Sequence, residues 1–322
     1  MLTSNIQFPF RRIQLPLPEI ALLLTAFFWG TSYGITKEAL LYTGVLAFIV
    51  IRFGLTSILL APIFIKEQRM GLAKDWKFAV PTGGILLCIF LAEIYGIFHT
   101  TASKAAFLIS LCVLITPFVE AITDRKLPSK QIILFALLSL FGVFLLTTQS
   151  SGQQTFDMIS LNELSFEFLS LDLLSLDMNK GDYSILLAAF LRACMIVTTK
   201  SLLKGKTLSA LSTTSIQANV VTLGALFIFI ASDNPIEQLF PTDLSFWISA
   251  FYLAIFCTIF ALFAQNFGVK HTTPSRVSLL TGSEPAFGAM FAYYWLGESL
   301  NTIQMIGGAC ILLATIMATL RK

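Results

Sequence analysis

Ten continuous apolar runs succeed one another along the chain, at residues 19–38, 43–65, 78–98, 103–122, 129–148, 183–203, 209–231, 245–268, 275–296 and 300–320. Each is close to the roughly 20 residues that an α-helix needs to cross the hydrocarbon of a bilayer. The runs are unbroken rather than alternating, which excludes a membrane β-barrel. Several are only a few residues apart, so neighbouring helices must form antiparallel hairpins. The pattern predicts an all-α integral membrane protein with ten transmembrane helices.

The runs contain a duplication. Ala92-Glu93-Ile94-Tyr95-Gly96 leads into His99-Thr100-Thr101-Ala102-Ser103-Lys104, and Ala264-Gln265-Asn266-Phe267-Gly268 leads into His271-Thr272-Thr273-Pro274-Ser275-Arg276. The offset is 172 residues throughout, and the pair holds both histidines of the protein. Trp29 and Lys37 are spaced like Arg192 and Lys200. Each repeated His is followed by a helix with a mid-span proline, Pro117 or Pro285, but those prolines differ in register by about one turn. Ten spans divide into five and five. Because five is odd, the second half enters the membrane from the opposite side, giving an inverted repeat of the kind that suits alternating access.

Charge orients this arrangement. With the N-terminus inside, sixteen basic residues fall on inner segments (Arg11, Arg12, Lys66, Arg69, Lys74, Lys77, Arg125, Lys126, Lys130, Lys200, Lys204, Lys206, Lys270, Arg276, Arg321 and Lys322), and only Lys37, Lys104 and Lys180 fall outside. That asymmetry places both termini in the cytoplasm. The expected organisation is a cytoplasmic tail over 1–18, a first repeat over 19–148, an acidic external linker over 149–182 and a second repeat over 183–322. No removable signal peptide is expected in the tail, which has no apolar stretch after Arg11-Arg12.

Composition agrees. The chain is 56% hydrophobic and 12% charged, against roughly 25% charged in soluble domains. The five cysteines all lie in apolar runs without metal-ligand spacing and read as packing residues.

Trp29-Gly30-Thr31-Ser32 with Lys37, Phe48-Ile49-Val50-Ile51-Arg52-Phe53, Ser283-Glu284-Pro285, Leu296-Gly297-Glu298-Ser299-Leu300 and Gly307-Gly308 occur in an order that resembles the EamA family of the drug/metabolite transporter superfamily. The resemblance covers nearly all of the chain after residue 18. It implies ten helices in two inverted repeats and movement of a small metabolite across a cytoplasmic membrane. Thr123-Asp124-Arg125-Lys126-Leu127 departs from the Gly-Glu pattern expected before the fifth helix.

Charged groups inside a bilayer are costly and usually face a cavity or a partner. Arg52 offers a planar fork for a carboxylate or phosphate, or forms a fixed pair with Glu93. Glu93 could carry a coupling proton; its repeat counterpart Gln265 cannot. Arg192, where the first repeat has Trp29, should face the central cavity, or bridge to Glu284. Glu284-Pro285 interrupts a helix at membrane depth and suits gating. Trp29, Tyr33 and Tyr95 could line an aromatic cavity, and Gln217 and Asn219 could bind ligand or another helix. Substrate binding is thus expected at Trp29, Tyr33, Arg52, Tyr95, Arg192 and Gln217, and proton coupling or gating at Glu93, Glu284 and Pro285. Glu120 reads as an interfacial acid. His99 and His271 read as helix-end caps. Small residues four apart (Gly30/Gly34, Ala92/Gly96, Ala264/Gly268, Gly288/Ala292) read as close helix contacts.

The expected function is secondary active transport of an amino-acid-like or drug-like solute, in the direction of export, with a proton as coupling ion. No Walker motif is present for ATP hydrolysis. No cofactor, metal or nucleic-acid partner is expected; the partners are substrate and bilayer, and the assembly a monomer or homodimer. Competing readings are a nucleotide-sugar-type antiporter, a channel, which would need a continuous polar stripe, and a multispan enzyme acting on lipid-linked substrates. The enzyme would need acids or histidines clustered at one interface, and the only such cluster is the linker's row of acids.

Overall fold

The structure is a computed structural model that describes residues 17–100, 102–147, 178–295 and 302–320. Most of the linker expected over 149–182 lies outside these residues.

Helices stand at each of the ten apolar runs. They are α1 (Leu17–Ala39), α2 (Val45–Arg69), α3 (Val80–His99, entered through a 3-10 turn at Trp76–Ala79), α4 (Ala102–Ser110, continued as Cys112–Asp124) and α5 (Lys130–Thr147). The second half holds α6 (Lys180–Leu203), α7 (Ala210–Ala231), α8 (Leu244–Ala254, a π turn at Ile255–Phe260, then Ala261–His271), α9 (Pro274–Thr281, then Glu284–Trp295) and α10 (Thr302–Leu320). Among the described residues eight helices are long and apolar enough to cross a membrane. The two others are α1, whose middle is the polar stretch Trp29-Gly30-Thr31-Ser32-Tyr33-Gly34, and α9, which is interrupted.

Local chemistry sets the helix starts. Ser209, Asp243 and Thr273 each accept a backbone N–H at the head of α7, α8 and α9. Asn179 and Asp182 form a reciprocal capping box at the head of α6. Asp182 reads from sequence as one more acid of an exposed loop, yet it is fully buried, accepting from Thr100 Oγ1 at 2.6 Å. Asn179 also donates to the His99 carbonyl at 3.2 Å, so the start of α6 is clipped to the end of α3.

The pairings obey the duplication. α3 packs on α6 as α8 packs on α1, and α4 meets α6 as α9 meets α1. α2 pairs with α7, α5 with α10 and α4 with α9, joining equivalent helices of the two repeats. Lipid offers no hydrophobic drive to such pairings, so close backbone approach matters. A Cβ on Gly142 would lie 2.5 Å from the Gly307 carbonyl oxygen, and one on Gly30 would lie 2.6 Å from the Gly288 nitrogen. Gly30 and Gly288 thus meet across repeats, whereas a Cβ on Gly34 would meet nothing within 4 Å among the described residues.

Both repeats break the same helix at the same place. α4 is interrupted at Leu111 and α9 at Gly282-Ser283, positions related by the 172-residue offset. The prolines differ because their jobs differ. Pro285 falls in the first turn of the second α9 segment, where no donor is missed, while Pro117 lies inside a helix. The two breaks lie against each other: Thr116 Oγ1 donates to Ser278 Oγ at 3.0 Å, and Ser278 Oγ to the Cys112 carbonyl at 3.2 Å.

Candidate functional site

The break in α9 sets Glu284 at the N-terminus of a half-helix, where the helix dipole favours a carboxylate. Gly30 presses α1 onto this point, since its Cβ position lies 2.8 Å from the Glu284 carbonyl oxygen. α1 thereby brings Trp29 and Tyr33 beside Glu284, and α6 brings Arg192 from the second repeat. α3 brings Glu93 from the first.

Arg192 organises the cluster. Its Nη2 donates to both carboxylate oxygens of Glu93 at 3.0 Å, and its Nη1 lies 3.5 Å from Glu284 Oε2. The Trp29 ring lies under the guanidinium, 4.7 Å from its carbon. One cation thus faces two carboxylates, all largely out of solvent (side-chain exposure 14% for Arg192, 8% for Glu93 and 5% for Glu284). The carboxylates are not equivalent. Glu93 has both oxygens engaged, while Glu284 Oε1 is buried with no hydrogen-bond partner. The hydroxyl of Tyr33 is also buried and lies beside Glu284, without a hydrogen bond of good geometry.

Arg52 does not pair with Glu93, contrary to one of the two sequence readings. Its Nε donates to Thr258 Oγ1 at 2.8 Å and its Nη2 to the Cys257 carbonyl at 3.3 Å, with the Phe90 ring 5.0 Å away. Trp29 Nε1 donates to the same Cys257 carbonyl at 2.9 Å. Cys257 and Thr258 belong to the π turn of α8, whose widened spiral turns this carbonyl toward both donors. Among the described residues no carboxylate pairs with Arg52, although it is only 4% exposed.

The other expected residues lie apart. Tyr95 is two positions from Glu93 and so on the opposite helix face; it is 38% exposed, and its ring lies 4.1 Å from that of His99 at a tilt of 33°. Gln217 is fully buried and satisfied, donating to Thr82 Oγ1 at 3.0 Å and accepting from Asn266 Nδ2 at 2.8 Å. It ties α3, α7 and α8 together, and it occupies in α7 the place Arg52 holds in α2, seven residues after each helix start. Asn219 bonds its own helix, to the Ser215 carbonyl. His99 and His271 each donate from Nδ1 to the carbonyl four residues earlier, at 2.9 and 2.8 Å, closing the ends of α3 and α8. Glu120 is more than an interfacial acid. It accepts from the backbone N–H of Ser275 at 3.0 Å and from the Ser275 hydroxyl, joining the end of α4 to the start of α9.

Sequence reasoning missed Thr258 and the Cys257 carbonyl, since no residue pattern marks a π turn. It also missed Glu67, whose Oε2 accepts from the Ser209 and Ser212 hydroxyls at 2.5 Å each. Beside that contact the Ser209 N–H donates to the Leu72 carbonyl and the Thr207 N–H to Asp75 Oδ2. These bonds close the α2–α3 connection onto the α6–α7 connection.

Comparison with known proteins places this geometry. The model of the EamA-like transporter family matches residues 17–148 and 179–320. A protein of Archaeoglobus fulgidus described as an uncharacterized transporter is 24% identical over 309 residues, covering 94% of this chain and 86% of its own. A second uncharacterized transporter of that organism is 31% identical over 72 residues, 22% of this chain and 27% of its own. A crystal structure titled only as that of a protein shares the fold with a TM-score of 0.73 at 14% identity, covering 94% of this chain and 96% of its own.

Proposed function

The chain belongs to the EamA-like transporter family, and from that premise we propose that it moves a small amino-acid-like or drug-like solute outward across the cytoplasmic membrane by alternating access. The observation that carries this reading is the cross-repeat cluster. Arg192 of the second repeat is bonded to Glu93 of the first while facing Glu284 of its own. Rocking one repeat against the other must stretch or exchange those contacts, so the cluster senses which side is open. It also offers a solute what it needs: a guanidinium for a carboxylate, two carboxylates for an ammonium, and an indole and a phenol for apolar surface. Arg52 adds a second guanidinium, with no carboxylate partner among the described residues, for an anionic group.

The proton belongs to the same cluster. Of its two acids, Glu284 suits proton exchange better than Glu93, because a proton on Glu284 Oε1 displaces no existing bond. Glu93 is then the anchor that holds Arg192. Both termini are cytoplasmic in this reading, with the Glu67–Ser209 closure on the cytoplasmic side.

The test is transport itself. Cells overexpressing the protein, challenged with a panel of amino acids and toxic amines, identify a solute whose tolerance rises. Arg192→Ala, confirmed in the membrane by immunoblot, should lose that tolerance. Full tolerance with Arg192→Ala would refute the assignment of the cluster as the transport site.

A further inference from the structure

A second site lies away from the central cluster. At the ends of α6 and α8 the structure holds a cavity of about 260 Å³, lined by Thr199, Lys200, Lys204, Lys206 and Lys270 among others. Among the described residues no carboxylate lines it. Glu120 and Asp124 act on Lys200 from α4, and Glu67 acts on Lys270 from α2, but all three stand outside the lining.

The cations are held in place by the fold. Lys200 Nζ donates to the carbonyls of Val269, Lys270 and Thr272, at 2.7, 3.4 and 3.0 Å, closing the C-terminal turn of α8. Lys270 Nζ donates to the Leu208 carbonyl. Lys206 Nζ lies 3.9 Å from the centre of the Phe78 ring. Gly205 has φ of +73°, a left-handed turn that sends the chain back on itself with Lys204 and Lys206 on either side. The observation that asks for a ligand is Thr199. It is 1% exposed, lines the cavity, and its hydroxyl has no hydrogen-bond partner.

We propose that this cavity binds a phosphate group, taken either from an acidic phospholipid headgroup or from a soluble phosphate compound. A tetrahedral anion in this cavity has four lysines in its lining, Lys204 and Lys206 among them, and the Thr199 hydroxyl can donate to it on turning about χ1; lysine serves phosphate well as a point charge. The cavity sits where α6 and α8 end, which in the topology expected from the basic residues is the cytoplasmic headgroup region. Its volume of about 260 Å³ is below the roughly 300–1,000 Å³ of sites for drug-sized ligands and suits a group the size of a phosphate. The site is independent of the transport reading and is tested by binding alone.

The experiment is calorimetric titration of the detergent-purified full chain with dihexanoyl phosphatidylglycerol, dihexanoyl phosphatidylcholine and inorganic phosphate. Phosphatidylglycerol should bind saturably and phosphatidylcholine should not. The double variant Lys204→Gln/Lys206→Gln should weaken the binding about tenfold or more. Thr199→Val keeps the side-chain shape and should weaken it several-fold. Displacement of the lipid by millimolar phosphate would mark a site open to soluble phosphate compounds, and failure to displace it a headgroup site. Equal binding of the two lipids, no saturable binding of either lipid or phosphate, or unchanged affinity in both variants would overturn the proposal.

Discussion

At the scale of single residues, Arg192 carries the most consequence. Removing one partner of a buried ion pair typically costs about 3–5 kcal/mol, because it strands the opposite charge. Arg192→Ala strands two. It should lower the thermal midpoint of the purified protein more than Arg52→Ala, since Arg52 leaves no carboxylate behind. A larger loss from Arg52→Ala would show that the acids are not held as ions by Arg192. The two carboxylates separate in a second pair of variants. Glu284→Gln should flatten the pH dependence of transport, whereas Glu93→Gln should keep that dependence and weaken substrate affinity. The outcome is read from initial rates of the identified solute between pH 5.5 and 8.5. An exchange of the two phenotypes would return the proton to Glu93. The sequence exposed all of these residues, because a charge in an apolar run is conspicuous. It did not reveal their partners. Arg52 and Arg192 are equally plausible mates for Glu93 in one dimension, and only the packing of α6 on α3 decides. Tyr95 misled for a related reason: nearness to Glu93 along a helix is not nearness in space.

At the scale of elements, the account rests on backbone contacts and on two broken helices. Gly30 meets Gly288 and the Glu284 carbonyl with no room for a side chain. Gly30→Val should therefore push the second α9 segment away, costing about 1–3 kcal/mol as overpacking usually does, and should lose transport. Gly34→Val, one turn along in open space, should change neither stability nor transport. Thermal midpoints and transport rates of the two variants decide the matter; equal effects would mean that α1 and α9 do not press together. The duplication was legible down to the tracts His99-Thr100 and His271-Thr272, because both copies keep the same helix end. The matching breaks in α4 and α9 were half legible, since the prolines marked the helices but not the shared point at Leu111 and Ser283. The π turn of α8 was not legible, for widening a helix by one residue leaves no mark on apolar periodicity.

At the scale of the whole molecule, the claim is that two inverted halves share one charged cluster and move about it. The inversion has its own check. Reporter fusions at residue 238 should read as external and those at 71 as cytoplasmic, following the basic asymmetry; the same side for both would undo the alternating-access argument. The most direct measurement is of solute-driven proton movement in proteoliposomes loaded with a pH-sensitive dye and given the solute identified in cells. Wild-type protein should move protons when the solute is added, Glu284→Gln should bind the solute and move none, and Arg192→Ala should do neither. Proton movement by Glu284→Gln at the wild-type rate would contradict the account at its centre.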